Sequence, residues 1–293
     1  MGVKRFEYFA DHMEPLLFRD VVKKRSAFFK ATVKAVKDAG LAIWSGATAR
    51  ISYLLNMLSH PYEDMREGAR EWLRAFIDQT VAFGASYISG HYDCMSIPQM
   101  NEDLQSWLDR ACDELAGISH YAADRGLKAI FIEQMHRPQL QPNTIERAQY
   151  MIERMNRQSA IPIHIHLDTG HMAHVKGDPS HTESDKDPMK WLETPFGANE
   201  LLLVHAQQTD ATASRHWPFT KEYNKKGIID VGDAISAIQR SGVKEAVIAL
   251  EILFHRGTPI EDIEPALVES ADCWREAFAE AGYTEKDSVF TKE

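Results

Sequence analysis

Seven short apolar or β-branched runs, set apart by longer stretches with helical spacing, constrain this chain more than any other feature of its sequence. The runs are Arg5–Ala10, Leu41–Gly46, Ser86–His91, Lys128–Met135, Ile161–Asp168, Leu201–Gln208 and Glu245–Leu253. Between them, Pro61–Phe83 carries Trp72, Leu73, Phe76, Val81 and Phe83 at the spacing of one helix face. Asp103–Arg125, Asn143–Gln158, Asp230–Gly242 and Asp262–Gly282 read the same way. Gly40, Gly126 and Gly242 stand where helix C-caps precede a strand, and Asn143 and Asp230 are placed as N-caps. Strands alternating with helices imply a parallel sheet covered by helices, because a parallel connection needs a crossover long enough to hold one. Met172–Pro188, rich in His, Asp, Lys and Ser, and Thr209–Gly227 are expected as long loops.

A chain of 293 residues and 33.3 kDa with this pattern fits one α/β domain spanning 1–293. A (β/α)8 TIM barrel has eight strands. The sequence shows seven, the first starting within five residues of Met1, so the expectation is a TIM barrel lacking its first βα unit. Asp and Glu outnumber Lys and Arg by 43 to 33, a formal charge of −10. That excludes binding nucleic acid through a broad basic surface, which needs clustered cations, and leaves room for a small anionic substrate held by a few of them. Cys94, Cys112 and Cys273 are odd in number and show no CxxC spacing, so neither a disulfide framework nor a thiolate zinc site is read from them. No apolar run approaches the roughly 18 residues of a membrane span. The start, MGVKRFEYFADHME, has no apolar signal region, so a cytoplasmic protein without a membrane partner is expected.

Parallel α/β folds bind ligands at the C-terminal ends of their strands. Four of the runs end in groups that hold divalent cations: KAIFIEQM gives Glu133, PIHIHLDTGHM gives Asp168 and His171, LLLVHAQQ gives His205, and AVIALEIL gives Glu251. Glu133, Asp168, His205 and Glu251 together suit one divalent ion, Mn, Co, Mg or Zn. Any one strand acid is ordinarily an edge residue or ion-pair partner. Four at equivalent places on consecutive strands are not, because unpaired buried charge costs several kcal/mol, on the order given for such ions. His164 and His166 share the face of Asp168 by the two-residue strand period and read as core or supporting histidines. His91, ending ASYISGH, is a candidate substrate contact. In RHWPFTKEYN, Trp217 and Phe219 anchor a polar loop and would turn Arg215 and His216 toward the barrel mouth; Arg256 and Arg137 are further cations just past strands.

These residues carry a family resemblance. The strand-end series and LDTGHM, similar to the LDTxHM segment of ketose 3-epimerases, resemble the xylose isomerase-like barrel superfamily of sugar isomerases and epimerases. Ser45–Pro61, Ser89–Asp93, Ile132–Pro138, Asp187–Leu192, His216–Ile229 and Leu250–Asp262 resemble its erythrulose-1-phosphate 3-epimerase branch, over nearly the whole chain. The resemblance implies proton transfer next to a carbonyl through an enediolate. Glu133 and Glu251 would be acid and base as well as ligands; His171 would hold a substrate oxygen, and Arg215 and His216 the far end, with His91 and Arg256 as further substrate contacts. A short ketose phosphate, erythrulose 1-phosphate or a relative, is the implied substrate, and association into a homo-oligomer is implied by analogy. Two departures stand out: Ala206 follows His205 where relatives usually carry Lys, and Arg215 lies farther from His205 than the corresponding Arg does. The alternatives are an aldose–ketose isomerase of a free short or branched sugar, a metal-dependent apurinic endonuclease, which the net charge disfavours, and a non-catalytic or truncated sugar-binding barrel.

Overall fold

A computed structural model describes residues 2–48, 50–174, 179–197 and 200–292. Seven strands, β1 (Arg5–Phe9), β2 (Ala42–Ala47), β3 (Tyr87–Ser89), β4 (Ala129–Glu133), β5 (Ile163–Asp168), β6 (Leu201–Ala206) and β7 (Glu245–Leu250), form one sheet in sequential order. Every neighbouring pair is parallel. The sheet curls into a nearly closed barrel, and among the described residues no ladder joins β7 to β1. That seam shows in the burial. All of β4 and β5 is buried, whereas Ala246–Leu250 of β7 is half-buried. The seven strands are those expected, with ends shifted by at most three residues.

The two-residue strand period divides the apolar residues into two layers. Ile130, Ile132, Ile165, Leu167, Leu202 and Val204 face outward into the main core against the surrounding helices. Phe131 and Leu203 face inward with Trp44 and Tyr87 and form a separate small cluster inside the barrel. Its rings lie close, Trp44 4.5 Å from Tyr87 and 5.5 Å from Phe131 between centroids. This aromatic plug fills the lower barrel. Residues one step further along each strand, Glu133 and His205 among them, are thereby set at the C-terminal mouth.

The outer helices include Ala27–Asp38, Glu63–Ala82, Ile97–Asp124, Ile145–Asn156, Val231–Ser241 and Ile260–Glu280. The third begins earlier than its periodicity indicates, because Ser96 and Gln99 form a capping box with Pro98 in the first turn; the backbone then kinks at Asp103. Asp230 caps its helix as expected, accepting from Asp233 N. At the fourth helix the cap is Thr144, whose hydroxyl accepts from Arg147 N, while Asn143 Oδ1 takes the Arg147 guanidinium. Within the expected loop 172–188, Thr169–Ala173 runs on as one helical turn and Ser184–Lys186 forms a 3-10 turn; residues 175–178 lie outside the described residues. The expected loop 209–227 contains a short helix, Lys221–Asn224, and Trp217 bridges back to Gln208. An antiparallel hairpin, β8 (Thr284–Lys286) with β9 (Val289–Thr291), follows the last barrel helix. Among the described residues no helix is long and apolar enough to cross a membrane.

Candidate metal and active site

Strand direction brings the four predicted ligands together. Glu133 and Asp168 are the last residues of β4 and β5, His205 is next to last in β6, and Glu251 directly follows β7. One ligand atom from each lies within 4.8 Å of the others. Glu133, Asp168 and His205 are 3% exposed or less, and the Glu251 side chain 14%.

Each candidate ligand is held by its own partners. Asp168 caps the turn Thr169–Ala173, its Oδ1 accepting from Gly170 N at 2.7 Å and His171 N at 3.0 Å. Gln207 Nε2 donates to both Asp168 oxygens. The Tyr53 hydroxyl donates to Glu133 Oε2 at 3.0 Å. His171 Nδ1 lies 3.1 Å from Gln134 O and 3.5 Å from Glu133 Oε1. His216 Nδ1 lies 3.4 Å from Glu251 Oε2. His205 Nε2 lies 2.7 Å from Glu7 Oε1, and its Nδ1 3.1 Å from Glu251 Oε2.

The electrostatics call for a cation. Carboxylates of Glu7, Glu133, Asp168 and Glu251 converge here, and no Lys or Arg is buried among the described residues. Burial pushes the Glu133 carboxyl up to about 7, with Glu251 and Asp168 adding to the rise against His171 and His205. Burial opposes the charge on Asp168 as well, but His171 and His216 outweigh it and hold that carboxyl below its usual range. Burial works against a charged His205, yet Glu251 and Glu7 raise it well above the ordinary histidine value. His205 Nδ1 and Glu251 Oε2 face each other without a hydrogen bond, although both are buried. Buried polar atoms that make no hydrogen bond cost stability. Two that converge beside two further carboxylates fit a divalent ion with mixed carboxylate and imidazole ligands.

The other expected residues distribute around this centre. His171 and His216 both flank it, with ring centroids 6.3 Å apart. His91 is buried under the mouth, bound through Nε2 to Asp93 O and 5.7 Å from the Tyr53 ring; burial lowers it to about 3, so it is a neutral imidazole. The Arg215 guanidinium is engaged by Asp210 and Thr212 and lies over the Trp217 ring. Arg256 is exposed past β7. Phe219 is fully buried and the Trp217 ring lies tilted 5.0 Å from that of Tyr223, so the loop is anchored as its sequence indicates. Glu7, Tyr53 and Gln207 also touch the ligands and were not singled out by sequence. His166 is fully buried beside His205, ring centroids 3.9 Å apart, and forms a second close set with Glu133 and His205.

A parallel barrel with a buried acid–histidine cluster at the C-terminal ends of its strands defines the class as an α/β barrel with a candidate metal site at its mouth. The chain belongs to the xylose isomerase-like TIM barrel family, whose profile matches residues 1–277. It is 24% identical over 245 residues to D-erythrulose 1-phosphate 3-epimerase of Brucella abortus, across 82% of this chain and 77% of that one. Among solved structures, a Rhodospirillum rubrum protein provisionally named a xylose isomerase superposes with a TM-score of 0.75 at 18% identity, covering 94% of this chain and 89% of the other. A D-tagatose 3-epimerase-like protein gives 0.66 at 16% identity, with the same coverages of 94% and 89%. The IOLI protein, solved with a bound zinc atom, gives 0.57 at 14% identity over 94% of this chain and 90% of that one.

Proposed function

We propose that this chain is an isomerase of carbohydrates, EC class 5.1.3 or 5.3.1, that moves a proton at the carbon next to a carbonyl. The reading favoured is 3-epimerisation of erythrulose 1-phosphate or a similar short ketose phosphate in the cytoplasm. The observation that carries it is the convergence of two glutamates, one from β4 and one from β7, on one buried centre with Asp168 and His205. The epimerase relative and the epimerase-like structure support the same chemistry.

Glu133, Asp168, His205 and Glu251 would hold one divalent ion, Mn, Co, Mg or Zn. Such an ion supplies Lewis acidity to the carbonyl, which acidifies the neighbouring C–H. One glutamate takes the proton from that carbon, and the other returns one to the opposite face, inverting it. His171 and His216, on either side of the pair, orient the substrate oxygens. His91 supports the mouth from beneath through Tyr53. The far end of the substrate is assigned to Arg215 and Arg256, the former after release from Asp210.

The test is proton exchange followed by NMR in heavy water with metal-loaded protein. Erythrulose 1-phosphate is compared with unphosphorylated tetroses and pentoses. Loss of the C3 proton signal with the phosphate ester alone is the expected result. Exchange with a free sugar alone moves the assignment to an aldose–ketose isomerase. Absence of exchange with every sugar, despite bound metal, overturns the enzymatic reading.

A further inference from the structure

We infer that Glu7 is a positioning residue for the metal centre: it fixes the His205 ring so that Nδ1 is presented to the ion. This rests on the metal site of the proposed function and adds a residue to it.

An imidazole that ligates through one nitrogen carries its proton on the other, and a carboxylate on that N–H sets both tautomer and ring angle. His205 Nε2 has such a partner, Glu7 Oε1, at 2.7 Å. The opposite nitrogen, Nδ1, lies 3.1 Å from Glu251 Oε2, on the side of the ligand cluster. Glu7 is in turn fixed. Ser45 Oγ and Ser89 Oγ both donate to its Oε2, leaving Oε1 for the histidine. Three strands thus hold one carboxylate: β1 carries it, and β2 and β3 each supply a hydroxyl. The sheet adjusts to allow this. The β1–β2 register shifts between Phe6 and Glu7, so that Phe6 pairs with Ile43 and Glu7 with Ser45. The irregularity turns Trp44 into the aromatic plug and brings the Ser45 hydroxyl opposite Glu7, as strand bulges re-aim side chains elsewhere.

The Glu7 side chain is only 8% exposed and has no nearby Lys or Arg among its hydrogen-bond partners. A carboxylate buried at this depth without a role in holding the ring would be a cost with no return. The bond also crosses the barrel interior from β1 to β6, strands that are not neighbours in the sheet. It therefore ties the β1 side of the seam to the metal centre.

The experiment is a titration of the full-length, metal-stripped protein with Zn2+ alone, followed by calorimetry, comparing wild type, Glu7→Gln, Glu7→Ala and His205→Ala. Glu7→Ala is expected to weaken Zn2+ binding about 10–100-fold, as loss of a ligand's supporting carboxylate does. Glu7→Gln, whose amide oxygen still accepts from Nε2–H without charge, is expected to fall between wild type and Ala. 15N-resolved NMR of the Zn2+-loaded wild type should show His205 as a single Nε2–H form, and Glu7→Ala should broaden or shift that resonance. Should Glu7→Ala fail to fold, Glu7→Gln carries the comparison. Wild-type binding that survives unchanged within twofold in both Glu7 variants, while His205→Ala loses it, overturns the positioning role alone. Absence of Zn2+ binding by the wild type overturns the metal reading itself.

Discussion

Gln207 donates through its amide nitrogen to both carboxylate oxygens of Asp168, at 2.8 Å and 3.0 Å, while its own amide oxygen accepts from His216 N. The side chain is thereby fixed at both ends, and it links the end of β6 to the end of β5 and to the loop carrying His216. Gly170 makes room for it: a Cβ there would run into the Gln207 amide. Gln207→Leu keeps the volume and removes the donor, so Asp168 loses a partner. The expected result is metal affinity lower by about tenfold, in the range of supporting-residue losses. Gly170→Ala should act in the same direction by displacing Gln207. Because both act through one contact, the double variant should be no worse than Gln207→Leu alone. Zn2+ titrations of the three variants check this, and additive losses would show separate effects.

Replacing either glutamate of the pair should separate exchange from epimerisation. With Glu133→Gln or Glu251→Gln, net turnover is expected to drop by about 10²–10⁴, the usual contribution of a positioned acid or base. Each variant retains one base. It should therefore still wash deuterium into one epimer of the substrate and not the other, with opposite preferences in the two variants. NMR of each purified epimer in heavy water reads this directly. Near wild-type turnover by either variant with metal bound would refute the two-glutamate assignment.

Metal uptake should release protons, and more of them at lower pH. In the metal-free protein burial sets Glu133 to about 7, and Glu251 and Glu7 keep His205 protonated well above the ordinary range. Ligands bind in their deprotonated forms, so each ion displaces what they carry. Near pH 6.5 about one to two protons should leave per ion. The number should fall toward pH 8.5 as Glu133 empties beforehand, and affinity should rise over the same span. Calorimetry in buffers of different ionisation enthalpy measures the release; a buffer-independent heat at pH 6.5 would contradict it. Stripping the ion with a chelator should abolish turnover and leave the helical circular dichroism in place, because the aromatic plug and outer core do not depend on it.

The convergence of the four candidate ligands was legible because each ends an apolar strand, where chain direction alone places a side chain at the mouth. Glu7 was not. It is a lone acid in RFEYF, and its partner His205 lies 198 positions away, a separation that no local pattern bridges. Tyr53 and Gln207 were hidden for the same reason. Arg215 reads as a mouth cation until Asp210, five residues earlier, is seen to engage it. The hairpin Thr284–Thr291 escaped notice because its turn is Asp287–Ser288, both at positive φ. Such turns are ordinarily announced by Gly beside Asn or Asp, and here Asp287 is followed by Ser288 in place of Gly. The seam between β7 and β1 was foreshadowed by the count of seven strands, since a missing pair of ladders follows from the arithmetic of a closed sheet.

His91 should give the protein an acid-sensitive stability. Burial holds its ring neutral down to about 3, while an unfolded histidine takes up a proton near pH 6.5. Between those values the unfolded chain binds the extra proton. Stability contributed by this site is therefore present above about pH 6.5 and drains away as pH falls, by at most about 1.4 kcal/mol per pH unit. His91→Gln keeps a donor for Asp93 O and cannot titrate. Its urea midpoint should be lower than wild type at pH 7.5, since the fit is poorer, but should decline less steeply between pH 6.5 and 4.5. The raised Asp93 carboxyl, which works in the opposite direction because the folded state binds its proton more tightly, and the other titrating groups are common to both proteins and cancel in the difference. Parallel declines in the two proteins would mean that the His91 ring takes up its proton in the folded state.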